Sequence, residues 1–112
     1  MSAPRTTVPL VLESPERVAD GMGGYRIEWR ALGILYAQMR AGSGAERQGE
    51  VGAESVVHWR ITVRAARTGD ARRPVAGQRF SMGGRVFRIE AVAEAGSAGL
   101  WLECRAREER LS

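Results

Sequence analysis

Residues Gln78-Arg79-Phe80-Ser81-Met82-Gly83-Gly84-Arg85-Val86-Phe87-Arg88-Ile89-Glu90-Ala91-Val92 read as a β-hairpin. Two alternating runs flank a Gly-Gly pair, and glycine supplies the positive φ angles that a tight primed turn requires. In the second run Phe87 and Ile89 face a core while Arg88 and Glu90 face water. Turn chemistry and alternation thus agree on an antiparallel pair, and the fold class follows from whether the rest of the chain repeats the pattern.

Upstream, Trp59, Ile61 and Val63 alternate with His58, Arg60, Thr62 and Arg64, and Arg67 to Pro74 makes a charged turn into the hairpin. Downstream, Ala95 to Gly99 is a small-residue turn, after which Leu100, Leu102 and Cys104 alternate with Trp101, Glu103 and Arg105. In the first half, Tyr25, Ile27 and Trp29 alternate with Arg26, Glu28 and Arg30, the pattern of a strand half in a core and half in water. Ile34 to Arg40 continues it with Leu35, Ala37 and Met39 on one face, and Gly33 between the two runs marks a bend or bulge. Val8 to Glu13, which contains Pro9, reads as an edge strand followed by a loop from Ser14 to Gly24. Ala41 to Ser55 has four glycines and Val51 as its sole large apolar residue, and reads as a long loop. Pro15 to Asp20 and Glu46 to Glu54 are the candidates for a brief helix.

The expectation is therefore an all-β fold: one domain over residues 1–112, a small barrel of short antiparallel strands with a long loop at 41–55 and at most one short helix. Closure is favoured because it removes exposed edges from a set of short strands. A chain of 112 residues with 44% hydrophobic content can close one core. No apolar run approaches the ~20 residues of a membrane span, so the reading is a soluble, intracellular protein. The lone Cys104 excludes an internal disulfide and sits on an apolar strand face as a structural thiol.

Charge is unevenly spread. Residues 1–54 carry six Arg against seven acids, and residues 55–112 carry eleven Arg against six. Eight Arg lie between Arg60 and Arg88, facing only Asp70. The absence of Lys fits a GC-rich genome, whereas the clustering suits partner carboxylates or phosphates, which the guanidinium fork engages in bidentate fashion.

Catalytic and metal chemistry find little support. His58 is the single histidine, no nucleophile elbow accompanies it, and no ligand spacing joins it to Cys104. Gly21, Gly23 and Gly24 follow Asp20 without the GK[ST] of a phosphate loop, so they read as a turn. No enzyme activity, cofactor or metal is expected. Nucleic-acid binding stands as an alternative: a basic OB-like barrel on which aromatics stack single-stranded bases. Trp59 and Phe87 share faces with core residues, leaving Trp101, beside Arg105 and Arg107, as the exposed platform.

The chain also resembles the phage head-tail joining proteins, the head completion or stopper family. The resemblance rests on Leu10 to Leu12, Asp20, Gly23, Gly24, Trp29, Tyr36 and Ala37 in the first half. In the second it rests on Ile61 to Arg64, on Arg79 and Phe80 with Gly83 to Ile89, and on Leu100, Leu102 and Cys104. Compact size and Arg-only basicity are similar to the stopper of a gene transfer agent, a phage-like particle. What the resemblance implies is a structural ring component, usually a hexamer, joining the portal-adaptor assembly to the tail terminator or tail tube. Such a protein gates the passage of DNA and contacts no membrane. It would be cytoplasmic during assembly and part of the particle neck afterwards. The matching channel-loop candidates are Glu46, Arg47, Gln48, Glu50 and Glu54. Interface candidates are Arg60, Arg64, Arg67, Arg72, Arg73, Arg79, Arg85, Arg88 and Trp101.

Overall fold

A computed structural model describes residues 3–42, 56–96 and 98–109. Six antiparallel strands run β1 Val8–Ala19, β2 Tyr25–Ala41, β3 His58–Arg64, β4 Arg79–Met82, β5 Arg85–Ala95 and β6 Trp101–Glu109. They close into a barrel in the order β1-β2-β3-β6-β5-β4, with β4 returning to β1. No helix occurs among the described residues.

The hairpin that decides the fold is β4–β5, paired from Arg79 opposite Arg88 to Met82 opposite Arg85. Its two-residue turn has Gly83 at φ +60°, while Gly84 is not in the positive-φ region. One positive φ at the first central position is the requirement of a II′ turn, which needs glycine only there. The core comprises Leu10 and Leu12 of β1, Leu35 and Ala37 of β2, Ile61 and Val63 of β3, Phe80, Phe87 and Ile89 of the hairpin, and Leu102, Cys104 and Ala106 of β6. Every strand contributes alternate residues to it, and no polar or charged side chain is buried among the described residues.

Four expectations are corrected, three of them by the first two strands. Ser14 to Ala19 is strand rather than loop, and Pro15 to Asp20 forms no helix, since β1 continues to pair with β2 out to Ala19 opposite Tyr25. Nor is β1 an edge, because Val11, Leu12 and Glu13 also pair with Ser81, Phe80 and Arg79 of β4. Pro9 and Pro15 lie on either side of that seam, where β1 has no second neighbour and a missing N–H costs no ladder bond. Third, Tyr25 and Ile27 are 62% and 53% exposed, and they do not line a core. Fourth, Leu100 precedes β6 and is exposed, so the closing strand starts at Trp101.

The inversion of Tyr25 and Ile27 has a local cause. The β1–β2 register shifts between Leu12, opposite Gly33, and Glu13, opposite Ala31, leaving Leu32 as the extra residue of a bulge. Odd-numbered residues of β2 point inward after the bulge and outward before it. Residues 14–19 and 25–31 thus form a two-stranded ribbon running beyond the barrel, and both strands are longer than expected. The face continuing the barrel interior carries Arg30–Glu16 and Arg26–Glu28 ion pairs at 2.9 and 2.8 Å. At the ribbon tip, Asp20 Oδ1 accepts hydrogen bonds from the N–H groups of Met22 and Gly24 at 2.7 and 3.0 Å. Those two bonds hold the Asp20 carboxyl below its ordinary range, and the glycines serve a turn. Of the long loop, Ala41 is the last residue of β2, and Ser43 to Ser55 lie outside the described residues.

The division between core and ribbon is testable by urea unfolding. Phe87→Ala is expected to cost about 3–5 kcal/mol, whereas Ile27→Ala is expected to stay within about 0.5 kcal/mol of the parent. Equal losses would contradict the exposed placement of Ile27.

Candidate functional site

The outer surface is organised by strand register. One row of outward side chains crosses five strands: Glu13 lies opposite Arg79, Arg79 opposite Arg88, Arg88 opposite Arg107, and Arg107 opposite His58. Like charges directly opposite each other are destabilising, and carboxylates are interleaved to offset them. Arg79 Nε donates to Glu13 Oε1 at 2.6 Å, with both side chains partly buried, and Ser81 Oγ donates to Glu13 Oε2 at 3.3 Å. Glu109 stands 3.8 Å from Arg88 and 3.6 Å from Arg107, and Glu90 stands 3.9 Å from Arg107 and 3.7 Å from His58. The planar guanidinium groups also stack. Arg79 lies 4.2 Å and Arg88 5.0 Å from the centroid of the Trp29 ring, fastening the ribbon to the barrel wall. Arg88 Nε is buried with no hydrogen-bond partner among the described residues.

Arg85 serves one end of the barrel. Its Nε and Nη2 donate to Glu108 at 2.8 and 3.0 Å, and Trp59 Nε1 donates to the same carboxylate at 3.0 Å. Trp59 packs edge-on to Phe87, with ring centroids 6.0 Å apart. The hydrogen bond from Arg85 is the main cause that holds the Glu108 carboxyl below its usual range; burial opposes it and the Trp59 bond assists. The β3–β4 connection crosses between strands that are not neighbours. Asp70 caps its turn by accepting from the Arg72 N–H at 2.8 Å, Arg73 donates to the Ala66 carbonyl at 2.7 Å, and Pro74 is fully buried beneath it.

A second row differs. Arg40 of β2 lies opposite Arg60 of β3, and Arg60 opposite Arg105 of β6. All three are exposed, and none has a carboxylate within ion-pair distance among the described residues. Arg40 and Arg60 line a cleft of about 610 Å³ that also includes Arg5, Gln38, Thr62 and Glu103.

The sequence-predicted interface residues therefore fall into separate groups. Arg79, Arg85 and Arg88 are engaged within the barrel, while Arg64 lies 5.4 Å from the ring of its cross-strand neighbour Trp101. Arg67 and Arg72 are exposed in the β3–β4 connection with Arg73 tied beneath them, and Arg60 belongs to the open row. Glu46, Arg47, Gln48, Glu50 and Glu54 lie outside the described residues. Sequence reasoning missed Glu13, Trp29, Glu108, Arg5, Arg40 and Arg105 as members of these groups. Arg5 precedes β1; the others sit on strands, but only register brings them to their neighbours. Cys104 is fully buried, and burial pushes its thiol up to about 12. Among the described residues no three His, Cys, Asp or Glu side chains group as metal ligands.

The described chain is thus a building block of the small closed-barrel class, whose distinguishing features are a projecting ribbon and a patterned arginine surface. A family model for the phage head completion protein matches residues 1–109, and the chain belongs to that family. Among solved structures, a chain of the virion of a native gene transfer agent particle superposes with a TM-score of 0.81 at 51% sequence identity, covering 98% of this chain and 100% of that one. No curated protein matches the chain.

Two solution properties follow. Native Cys104 is expected to resist thiol reagents at pH 8 and to react fully once unfolded; stoichiometric native labelling would contradict its burial. The Glu108 carboxyl is lowered on folding, so the stability it contributes is full above the ordinary value of 4.5 and is lost as pH falls through the lowered one. Thermal melts from pH 7 to pH 3 should show a shallower acid limb for Glu108→Gln than for the parent.

Proposed function

We propose that this chain is a non-enzymatic structural component of a phage-like particle that assembles with other particle proteins at the head-tail junction. One observation carries the reading: a barrel of the same fold, 51% identical and matched end to end, is part of a gene transfer agent virion. The finer role is a ring, of six copies by family resemblance, joining the portal-adaptor assembly to the tail terminator or tail tube and helping gate DNA. The surface supports assembly rather than catalysis. Along the outer face of β2, Tyr25, Ile27, Ile34 and Tyr36 are each more than half exposed, a run of large apolar side chains of the kind that marks protein contacts.

The single-strand-binding alternative asks for open aromatic platforms. Phe87 is in the core, Trp59 is tied to Glu108, Trp29 lies under Arg79 and Arg88, and Trp101 lies against Arg64. These four rings are engaged by the protein itself, which leaves Tyr36 as the exposed ring with no arginine over it among the described residues.

Deletion of the gene in a particle-producing host is expected to yield heads that fail to acquire tails or to retain DNA, seen by electron microscopy and by nuclease protection. Restoring the gene with Tyr36→Asp should lower incorporation of the protein into particles while leaving its thermal midpoint unchanged. Intact tailed particles from the deletion strain would contradict the junction role. Tight single-stranded DNA binding that weakens steeply between 50 and 200 mM salt would favour the alternative, with the salt slope counting the phosphates neutralised.

A further inference from the structure

Fifteen of the arginines lie among the described residues, and their environments are not equivalent. In the Arg79–Arg88–Arg107 row, carboxylates from β1, β5 and β6 stand within 4 Å, so its charge is largely offset inside the protein. Two residues along β3 and β6 from His58 and Arg107, Arg40, Arg60 and Arg105 are held side by side by the β2–β3 and β3–β6 registers, with no carboxylate within ion-pair distance among the described residues. Arg5 adds a fourth guanidinium at the edge of the cleft. The like-charge row is a standing electrostatic cost to the isolated fold, and a counter-charge supplied from outside would remove it.

We infer that the cleft lined by Arg40 and Arg60, together with Arg105 next to Arg60 in the same row, is a docking surface for a short carboxylate-bearing segment of a neighbouring protein in the particle. This rests on the functional reading above and names the chemistry of one contact within it. The size fits. Three neighbouring strands spaced about 4.8 Å apart place the outer arginines about 10 Å from each other, the span of about three extended residues. Each guanidinium fork can take a carboxylate in bidentate fashion. The flanking groups argue for a short acidic peptide over a nucleic-acid backbone. On one side of the row stand Glu90 and Glu109, and on the other Glu103 lines the cleft. A polyanion lying along the face would run over these carboxylates, whereas a segment with two or three acids fits between them. Glu103, Gln38 and Thr62 are then placed to bond the peptide backbone. Beside Arg105 and Glu103, β5 turns Ala91 and Ala93 outward, giving a low shelf with no bulky side chain to block an approaching chain.

The test uses assembled particles. Ala93→p-benzoylphenylalanine places a photo-crosslinker on the shelf without touching an arginine. Irradiation is expected to join it to a protein segment containing at least two Asp or Glu within four residues. Adding Arg60→Glu and Arg105→Glu should reduce that adduct by about tenfold, as loss of bidentate charge-assisted bonds requires. Thermal melts of the free protein verify that the variants fold, and Arg60→Gln with Arg105→Gln provides a milder pair should the reversal unfold it. An adduct to DNA, an adduct to a segment without acids, or an adduct indifferent to both arginine pairs would overturn the inference. So would particles that contain the chain yet give no adduct. Particles that form normally and lack the chain would overturn the functional reading itself, and this assignment with it.

Discussion

The structure depends on a short seam. Val11, Leu12 and Glu13 pair with Ser81, Phe80 and Arg79, and these three residue pairs alone join β4 to β1 and convert an open six-stranded sheet into a barrel. Both faces reinforce it. Inside, Leu12 and Phe80 are opposite each other and fully buried. Outside, Glu13 bonds Arg79 at 2.6 Å, and Arg79 in turn stacks on Trp29. Without the seam, β4 would present a four-residue edge and the ribbon would lose its attachment, leaving a two-stranded hairpin of the kind that is marginal alone in water. Closure also fixes every register around the barrel, and so decides which surface groups become neighbours.

Two bulges determine what that surface displays. At Leu32 the extra residue inverts β2, so its first half turns Tyr25, Ile27 and Trp29 away from the interior. At Glu90 the same device inverts β5: Phe87 and Ile89 point inward before it, and Val92 opposite Cys104 points inward after it. The residues thereby turned outward are Ala91, Ala93 and Ala95, opposite Arg105, Glu103 and Trp101. One bulge thus creates an exposed apolar stripe and the other a small-residue shelf, both on strands whose remaining residues complete the core.

These bulges also explain what the sequence makes legible. Alternation reveals that Tyr25 to Arg30 is a strand, but the period of two is the same whichever face meets the core. A one-residue slip therefore exchanges the faces without changing the pattern. Gly33 signals the irregularity; its consequence for the faces needs the partner strand. Pro15 argues locally against a strand through Ser14 to Ala19, and only the seam's limits show that its missing N–H lies at a free edge. By contrast, the β4–β5 hairpin, β3 and β6 are legible because turn residues and alternation sit together in short windows. The surface groups are least legible. Glu13 and Arg79 are 66 residues apart, Trp59 and Glu108 49 apart, and nothing local connects them.

The exclusive use of arginine has a physical consequence whatever its genomic origin. Arg17, Arg64, Arg79, Arg85 and Arg88 each lie over an aromatic ring at 4.2–5.5 Å, and Arg79 and Arg85 also donate to a carboxylate from the same group. A lysine ammonium is a strongly hydrated point charge and cannot present a flat face to a ring and an N–H edge to a carboxylate together. Arginine lets this small barrel anchor its ribbon and close one end with charged residues while burying no charge. The same chemistry leaves the unneutralised row distinct. Where arginine serves the fold, it has a ring, a carboxylate or a backbone carbonyl beside it; where Arg40, Arg60 and Arg105 stand together, the described residues supply no ring over them and no carboxylate within ion-pair distance. Net charge alone is a poor guide to binding on such a surface, because the excess that matters is the part the fold does not use.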